Sequence, residues 1–288
     1  MRPPTMTFQE FVPSPALRPY VDRYWLVETF PGEAYPMEHA LTPNALDGFV
    51  FQYHTQGPHL FWQAGRAQVL PAAYALLQPV SPWRLQLPAA CCIAGVFFRP
   101  GVVHRWLRYP MPELTQGPLD LETLAGPAVQ QLLAQLAEVP ATLARVALLE
   151  AFVARRLPVL THLPTATDYA LRLLVQHRGN ISVEALAGQL RVSRQFLARQ
   201  FAEHVGRSPK QVGRVVRFNA VHQQLVQQPQ PDWLDLVCQY GYYDQTHLIK
   251  EFRTFTGCSP LAYQQAWTEA ADFYAGTAEG SIFTMGRQ

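Results

Sequence analysis

The chain has 288 residues, 49% of them hydrophobic and only 15% charged, which is enough for two ordinary domains with real cores and a connector. A net charge of +2 names no partner by itself, and four cysteines are too sparse for a disulfide scaffold. No apolar run reaches the ~18 residues of a membrane span, and the opening MRPPTMTFQEFVP lacks an apolar core of leader length, so a soluble cytoplasmic protein without a membrane partner is expected.

Residue texture divides the chain. Prolines crowd the first 165 residues, whereas from Thr165 to Trp267 only Pro209, Pro229, Pro231 and Pro260 occur, each where a helix could start or stop. The only lysines, Lys210 and Lys250, fall in that second region beside Arg191, Arg194, Arg199, Arg207, Arg214, Arg217 and Arg253. The expected organisation is α+β: a β-rich region over 1–115, a helical connector and linker over 116–164, an all-α region over 165–267, and a mobile tail over 268–288.

The first region holds the strand-like runs RYWLV, GFVFQY, HLFWQ, YALLQ, WRLQL and CIAGVFF between turn residues, a spacing that predicts an antiparallel barrel or sandwich. Its aromatic residues Trp25, Phe51, Tyr53, Trp62, Trp83 and Phe97, with Arg99 nearby, are candidates for an effector pocket, although core packing explains each of them as well. The segment GVVHRWLR then reads as a helix. Metal ligands would need closely spaced histidines with a glutamate; His54 and His59 have the wrong spacing, and no pattern joins them to Glu38 or His39. Cys91 and Cys92 should point to opposite faces of a strand, and no nucleophile, base or metal set converges, so neither a catalytic site nor a cofactor is expected.

The connector, GPAVQQLLAQLAEVPATLARVALLEAFVARRL, reads as a helical hairpin broken near Pro140. Val129, Leu132, Leu133 and Leu136 form one apolar stripe, and Val146, Leu149 and Val153 another. Such stripes suit either a cover for the β region or a dimer contact. The stretch PVLTHLPT then reads as a short, stiff linker.

The all-α region repeats itself. LAGQLRVSRQFLARQFAEHVGRSP (Leu186 to Pro209) aligns with LVCQYGYYDQTHLIKEFRTFTGCSP (Leu236 to Pro260), the second copy carrying one extra residue in its bend. Each copy reads as helix, tight turn, helix. Ser182 and Asp232 cap the first helices, and Ser193 and Asp244 cap the second. In the repeated G-x-S-P, glycine ends one helix, serine caps the next, and proline takes the first position, where no amide donor is missed. Phe196, Leu197, Phe201, Leu248, Phe252 and Phe255 keep helical spacing and should face inward. Between the copies Lys210 to about Gln227 reads as one long helix of about 27 Å, and Thr165 with Asp168 forms a capping box upstream.

With these motifs in place, residues 165–266 resemble the DNA-binding domain of the AraC/XylS family of transcription regulators. The likeness rests on both helix-turn-helix units, the linking helix with its RFNA segment (Arg217 to Ala220), and GYYDQTHLIKEF followed by FTGCSP. One departure is Arg191, where such regulators carry glycine; a left-handed arginine there costs on the order of 1 kcal/mol. The resemblance implies that double-stranded DNA is the partner. It also implies that Gln195, Ala198 and Arg199 on one helix, with Gln245, Thr246, Ile249 and Lys250 on the other, face base edges. Arg194, Lys210 and Arg217 would hold phosphates, though a buried salt bridge explains Arg217 equally well. Arg forks onto guanine, Gln onto adenine, and Ala or Ile meets a thymine methyl. By the same architectural resemblance the first region is cupin-like and senses a small-molecule effector, with RNA polymerase and a second copy of the chain as further partners. The rival readings are an enzyme with an appended helical domain and a constitutive DNA-binding protein without an effector.

Overall fold

The computed structural model describes residues 6–29, 38–41, 46–63, 66–77, 83–88, 90–107, 109, 111–114, 117–156, 164–228 and 231–264. The expected tail and most of the expected linker lie outside them.

Among the described residues ten strands form two antiparallel sheets. β1 (Met6–Phe11), β2 (Val21–Thr29), β4 (Asp47–Tyr53), β7 (Ala73–Leu77), β9 (Cys92–Phe98) and β10 (Leu119–Asp120) make a six-stranded sheet in the order β1-β2-β9-β4-β7-β10. β3 (Glu38–Leu41), β5 (Leu60–Gln63), β6 (Arg66–Val69) and β8 (Trp83–Gln86) make a four-stranded sheet in the order β3-β8-β5-β6. Of the two architectures the spacing allowed, the sandwich is the one formed; the described strands do not close into a barrel.

Alternation along the larger sheet explains its two coverings. Trp25, Val27, Val50, Tyr74 and Ile93 meet Phe61 and Leu85 of the smaller sheet in one core. Tyr24, Leu26, Phe49, Phe51, Ala94, Val96 and Phe98 point the other way, against helices. These helices are α1 (Val102–Leu107), α2 (Met111–Leu114), α3 (Leu121–Ala125), α4 (Ala128–Glu138) and α5 (Thr142–Ala154). The connector stripes therefore cover the sheet: Val129, Leu132, Leu136, Leu149 and Val153 share its core, with Leu133 and Val146 at the margin. The buried Arg145 of α5 clamps this layer, pairing with Glu28 of β2 at 2.5 Å and lying 4.9 Å from the Tyr53 ring centre.

A second core belongs to the C-terminal helices α6 (Ala166–Gln176), α7 (Val183–Gln189), α8 (Arg194–Val205), α9 (Pro209–Gln227), α10 (Trp233–Tyr240) and α11 (Gln245–Thr256). Each starts where the sequence places a cap. Thr165 and Asp168 form the capping box of α6, and Ser182, Ser193, Asp232 and Asp244 each accept a backbone N–H at the head of their helix. Ser208 forms a capping box with Gln211, with Pro209 at the first position of α9. Gly206 and Gly257 are left-handed and end α8 and α11. Such caps contribute about 1 kcal/mol apiece, but the cores of Phe201, Phe218, Phe252 and Phe255 hold the helices against one another.

Candidate nucleic-acid interface

The bends of the two helix-turn-helix units share one backbone hydrogen bond. Val192 N–H donates to Ala187 O, and Tyr242 N–H donates to Val237 O, both at 3.0 Å. Arg191 therefore matches Gly241, and the residue added in the second bend is Tyr243, which stands 91% exposed. Arg191 is left-handed, with φ 53°, so the strain expected from the sequence is present.

On α8, Gln195, Ala198 and Arg199 are all exposed and share one face. Phe196, expected inward, is only half-buried, and the Arg199 guanidinium lies 5.7 Å from its ring centre. On α11, Gln245, Thr246 and Lys250 are exposed and Ile249 is half-buried. His247 is exposed beside them; its Nδ1 accepts the Tyr243 N–H at 3.3 Å, and its ring packs on Tyr242. Arg194 and Lys210 are exposed at the starts of α8 and α9. An open groove of about 740 Å³ runs between the units, lined by Ser182, Lys210, Arg214, His247 and Lys250 among others.

Arg217 is oriented inward instead. Its Nη2 sits 3.2 Å from Glu251 Oε2, its Nη1 donates to Gly241 O, and its guanidinium stacks 4.6 Å from the Tyr242 ring centre. Arg214 Nε donates to the other Glu251 oxygen at 2.6 Å. Glu251 is buried, so two arginines from α9 fix the position of α11. The buried salt bridge weighed for Arg217 in the sequence is the one formed, but its partner Glu251 was not foreseen. An acidic residue at 251, inside the apolar spacing of Leu248, Phe252 and Phe255, is the signal that could have found it.

The aromatic effector candidates are divided by the sheets. Trp25 and Phe97 stack at 5.8 Å in the space between them, where the Trp25 indole lies over Gly95 so closely that a Cβ there would come within 2.2 Å. Phe51 and Tyr53 face the helices on the opposite side. Trp62 alternates with the inward Phe61 and so leaves the sandwich on the outer face of the small sheet. Trp83 lies on β8, with its side chain outside the described residues. Arg99 is half-exposed at an edge, donating to Arg18 O and 3.9 Å from Asp22. Cys91 and Cys92 do point to opposite faces; Cys91 Sγ lies 3.4 Å from Thr29 Oγ1. Among the described residues no group of three or more His, Cys, Asp or Glu could hold a metal ion, and no helix is long and apolar enough to cross a membrane.

Residues 186–266 match a family described as a helix-turn-helix domain, and residues 9–120 match one described as a domain of unknown function, DUF6597. No curated protein matches the chain. Among solved structures, ToxT from Vibrio cholerae O395 is 8% identical with a TM-score of 0.46, over 91% of this chain and 97% of that one. ToxT from strain SCE256 with an unsaturated fatty acid bound is 11% identical with a TM-score of 0.46, over 92% and 97%. The DNA-binding domain of AdpA in complex with a target DNA is 23% identical with a TM-score of 0.34, over 38% and 98%. Two helix-turn-helix units, joined by one long helix and matched by that domain family, define a DNA-binding regulator of transcription. Its C-terminal helix-turn-helix domain is of the AraC type.

Proposed function

We propose that α8 and α11 enter successive major grooves on one face of DNA. The observation that carries this reading is the pair of exposed polar faces held apart by α9, whose 19 residues span about 28 Å against a groove repeat of about 34 Å. Gln195, Ala198 and Arg199 read one half of the site; Gln245, Thr246, Ile249 and Lys250 read the other. Arg194 and Lys210 hold phosphates, which fix register without reading sequence, while Arg217 supports α11 from inside. On this reading the protein acts on DNA in the cytoplasm, with RNA polymerase and a second copy of the chain as further partners.

The N-terminal domain is the sensor in this account, with the effector between the two sheets. The Trp25 indole N–H is buried there without a protein acceptor among the described residues. Buried donors are ordinarily paired, which supports an acceptor-bearing small molecule as its partner. The test is a thermal-shift screen of metabolites against the full chain and against Trp25→Phe. Stabilisation of the wild type that the variant loses supports this site, whereas equal stabilisation of both excludes it.

A further inference from the structure

Among the described residues the N-terminal domain holds the DNA-binding domain at the first recognition helix and the start of α6. α1 and α2 pack on α8. Arg105 of α1 donates to Asp168 Oδ1 at 2.9 Å, and Asp168 is also the residue that caps α6 through Thr165. Beside this pair, the imidazoles of His104 on α1 and His204 on α8 pack against each other at a tilt, centres 4.7 Å apart and planes 33° apart. His104 Nδ1 donates to Tyr109 O at 3.2 Å, and His204 Nδ1 is 3.3 Å from Thr167 Oγ1 on α6. The exposed face of α8 (Gln195, Ala198, Arg199) stays clear of this grip. The contact can therefore govern where α8 sits without covering what it reads.

We infer that His104, packed on the His204 ring, makes this contact a proton-sensitive latch, closed when His104 is neutral and opened by its protonation, so that acidification frees the first recognition helix from the N-terminal domain. This rests on α8 being a reading helix and adds a regulation to it. The charged groups around the rings support the direction. Burial first, then the neighbouring His204, lower the pKa of His104 below the ordinary histidine value; the Tyr109 carbonyl and Glu203 pull the other way, and Arg105 adds a smaller lowering. A proton is thus bound less tightly by the latched form than by the open form. The latch is at full strength above the ordinary histidine pKa of about 6.5, and weakens as pH falls through and below it.

The Arg105–Asp168 pair does not share this window. Burial alone would raise the Asp168 carboxyl, but the Thr165 amide and hydroxyl, with Arg105, outweigh it and hold the group below its usual range. Asp168 stays ionised through pH 5, so this pair does not respond between pH 7.5 and 5.5.

The test is hydrogen exchange of the full chain at pH 7.5 and 5.5, corrected for intrinsic rates, following amides of α1 and the last turn of α8. It is run on wild type, His104→Gln and Arg105→Ala, with the histidine proton resonances titrated alongside. Wild-type protection should fall several-fold on acidification, about tenfold for each tenfold difference in proton affinity between open and latched forms. His104→Gln should lose that pH response, and Arg105→Ala should lose protection by a similar factor at both pH values. A His104→Gln variant that keeps the wild-type response, or a His104 that titrates at its ordinary value in the full chain, overturns the latch. Binding of a genomic site measured across the same range keeps the two readings apart: DNA binding whose pH dependence is the same in wild type and His104→Gln leaves the reading helices intact and removes only the latch.

Discussion

Arg191 and Gly241 occupy the same left-handed corner in the two copies of the motif, with φ of 53° and 67°. The glycine is doubly required, because a Cβ at 241 would lie within 2.3 Å of the Asn180 side chain, which joins the two units there. The arginine has no such neighbour and bears only the steric cost of its conformation. Arg191→Gly should stabilise the protein by about 0.5–1 kcal/mol, and Gly241→Ala should destabilise it by about 2 kcal/mol or more. Urea unfolding of the three proteins measures both signs.

Glu251 is the buried member of the lock between α9 and α11. Replacing it with Gln leaves Arg217 charged and mostly enclosed, a change that costs about 3 kcal/mol, the low end for a broken buried pair, since Arg214 retains access to water. Arg214→Ala should cost clearly less than Glu251→Gln. Thermal unfolding ranks the two, and equal losses would mean that the pair does not act as a unit.

Base-reading and phosphate-holding residues should separate by salt. Arg199→Ala and Lys250→Ala each should lose about 1–3 kcal/mol on a preferred site and far less on random DNA. Arg194→Ala and Lys210→Ala should weaken both alike and lower the salt slope by about 0.9 per residue. Titrations at several salt concentrations on both DNAs make the division visible.

Two buried histidines set an acid limit on the fold. His59 and His222 are each pushed down to about 4 by burial. Their unfolded value is about 6.5, so the unfolded chain binds the proton first; their contribution is complete above pH 6.5 and lost progressively from there to about pH 4. At pH 5 each should have taken away about 2 kcal/mol. His222→Asn should flatten the pH dependence of unfolding between pH 6.5 and 4.5 by about half.

What could be read from the sequence was what is local. Caps, the G-x-S-P stops and the apolar spacing of α8 and α11 are decided within a few residues, and each was legible. The place of the extra bend residue was not, because only the paired hydrogen bonds to Ala187 and Val237 identify it as Tyr243. Alternation predicted strands in the N-terminal domain but not their partners, so Trp25, Phe51 and Trp62, which look alike in sequence, lie on three different surfaces. The short edge strands β1, β3, β6 and β10 carry too few apolar residues to announce themselves. The connector stripes announced burial without saying against what. Arg217 and Glu251 show the same limit from the polar side, since a charged pair buried between two helices resembles two solvated charges until the helices are brought together.

The central claim is that two exposed helix faces together read one discontinuous DNA site. It is tested most directly by mapping where the purified protein binds fragmented genomic DNA at near-physiological salt, with wild type beside the Arg199→Ala, Lys250→Ala double variant. Discrete wild-type sites holding two half-sites one helical turn apart, lost in the variant, are the predicted result. Binding that is diffuse, or that survives the double substitution at the same sites, would contradict it.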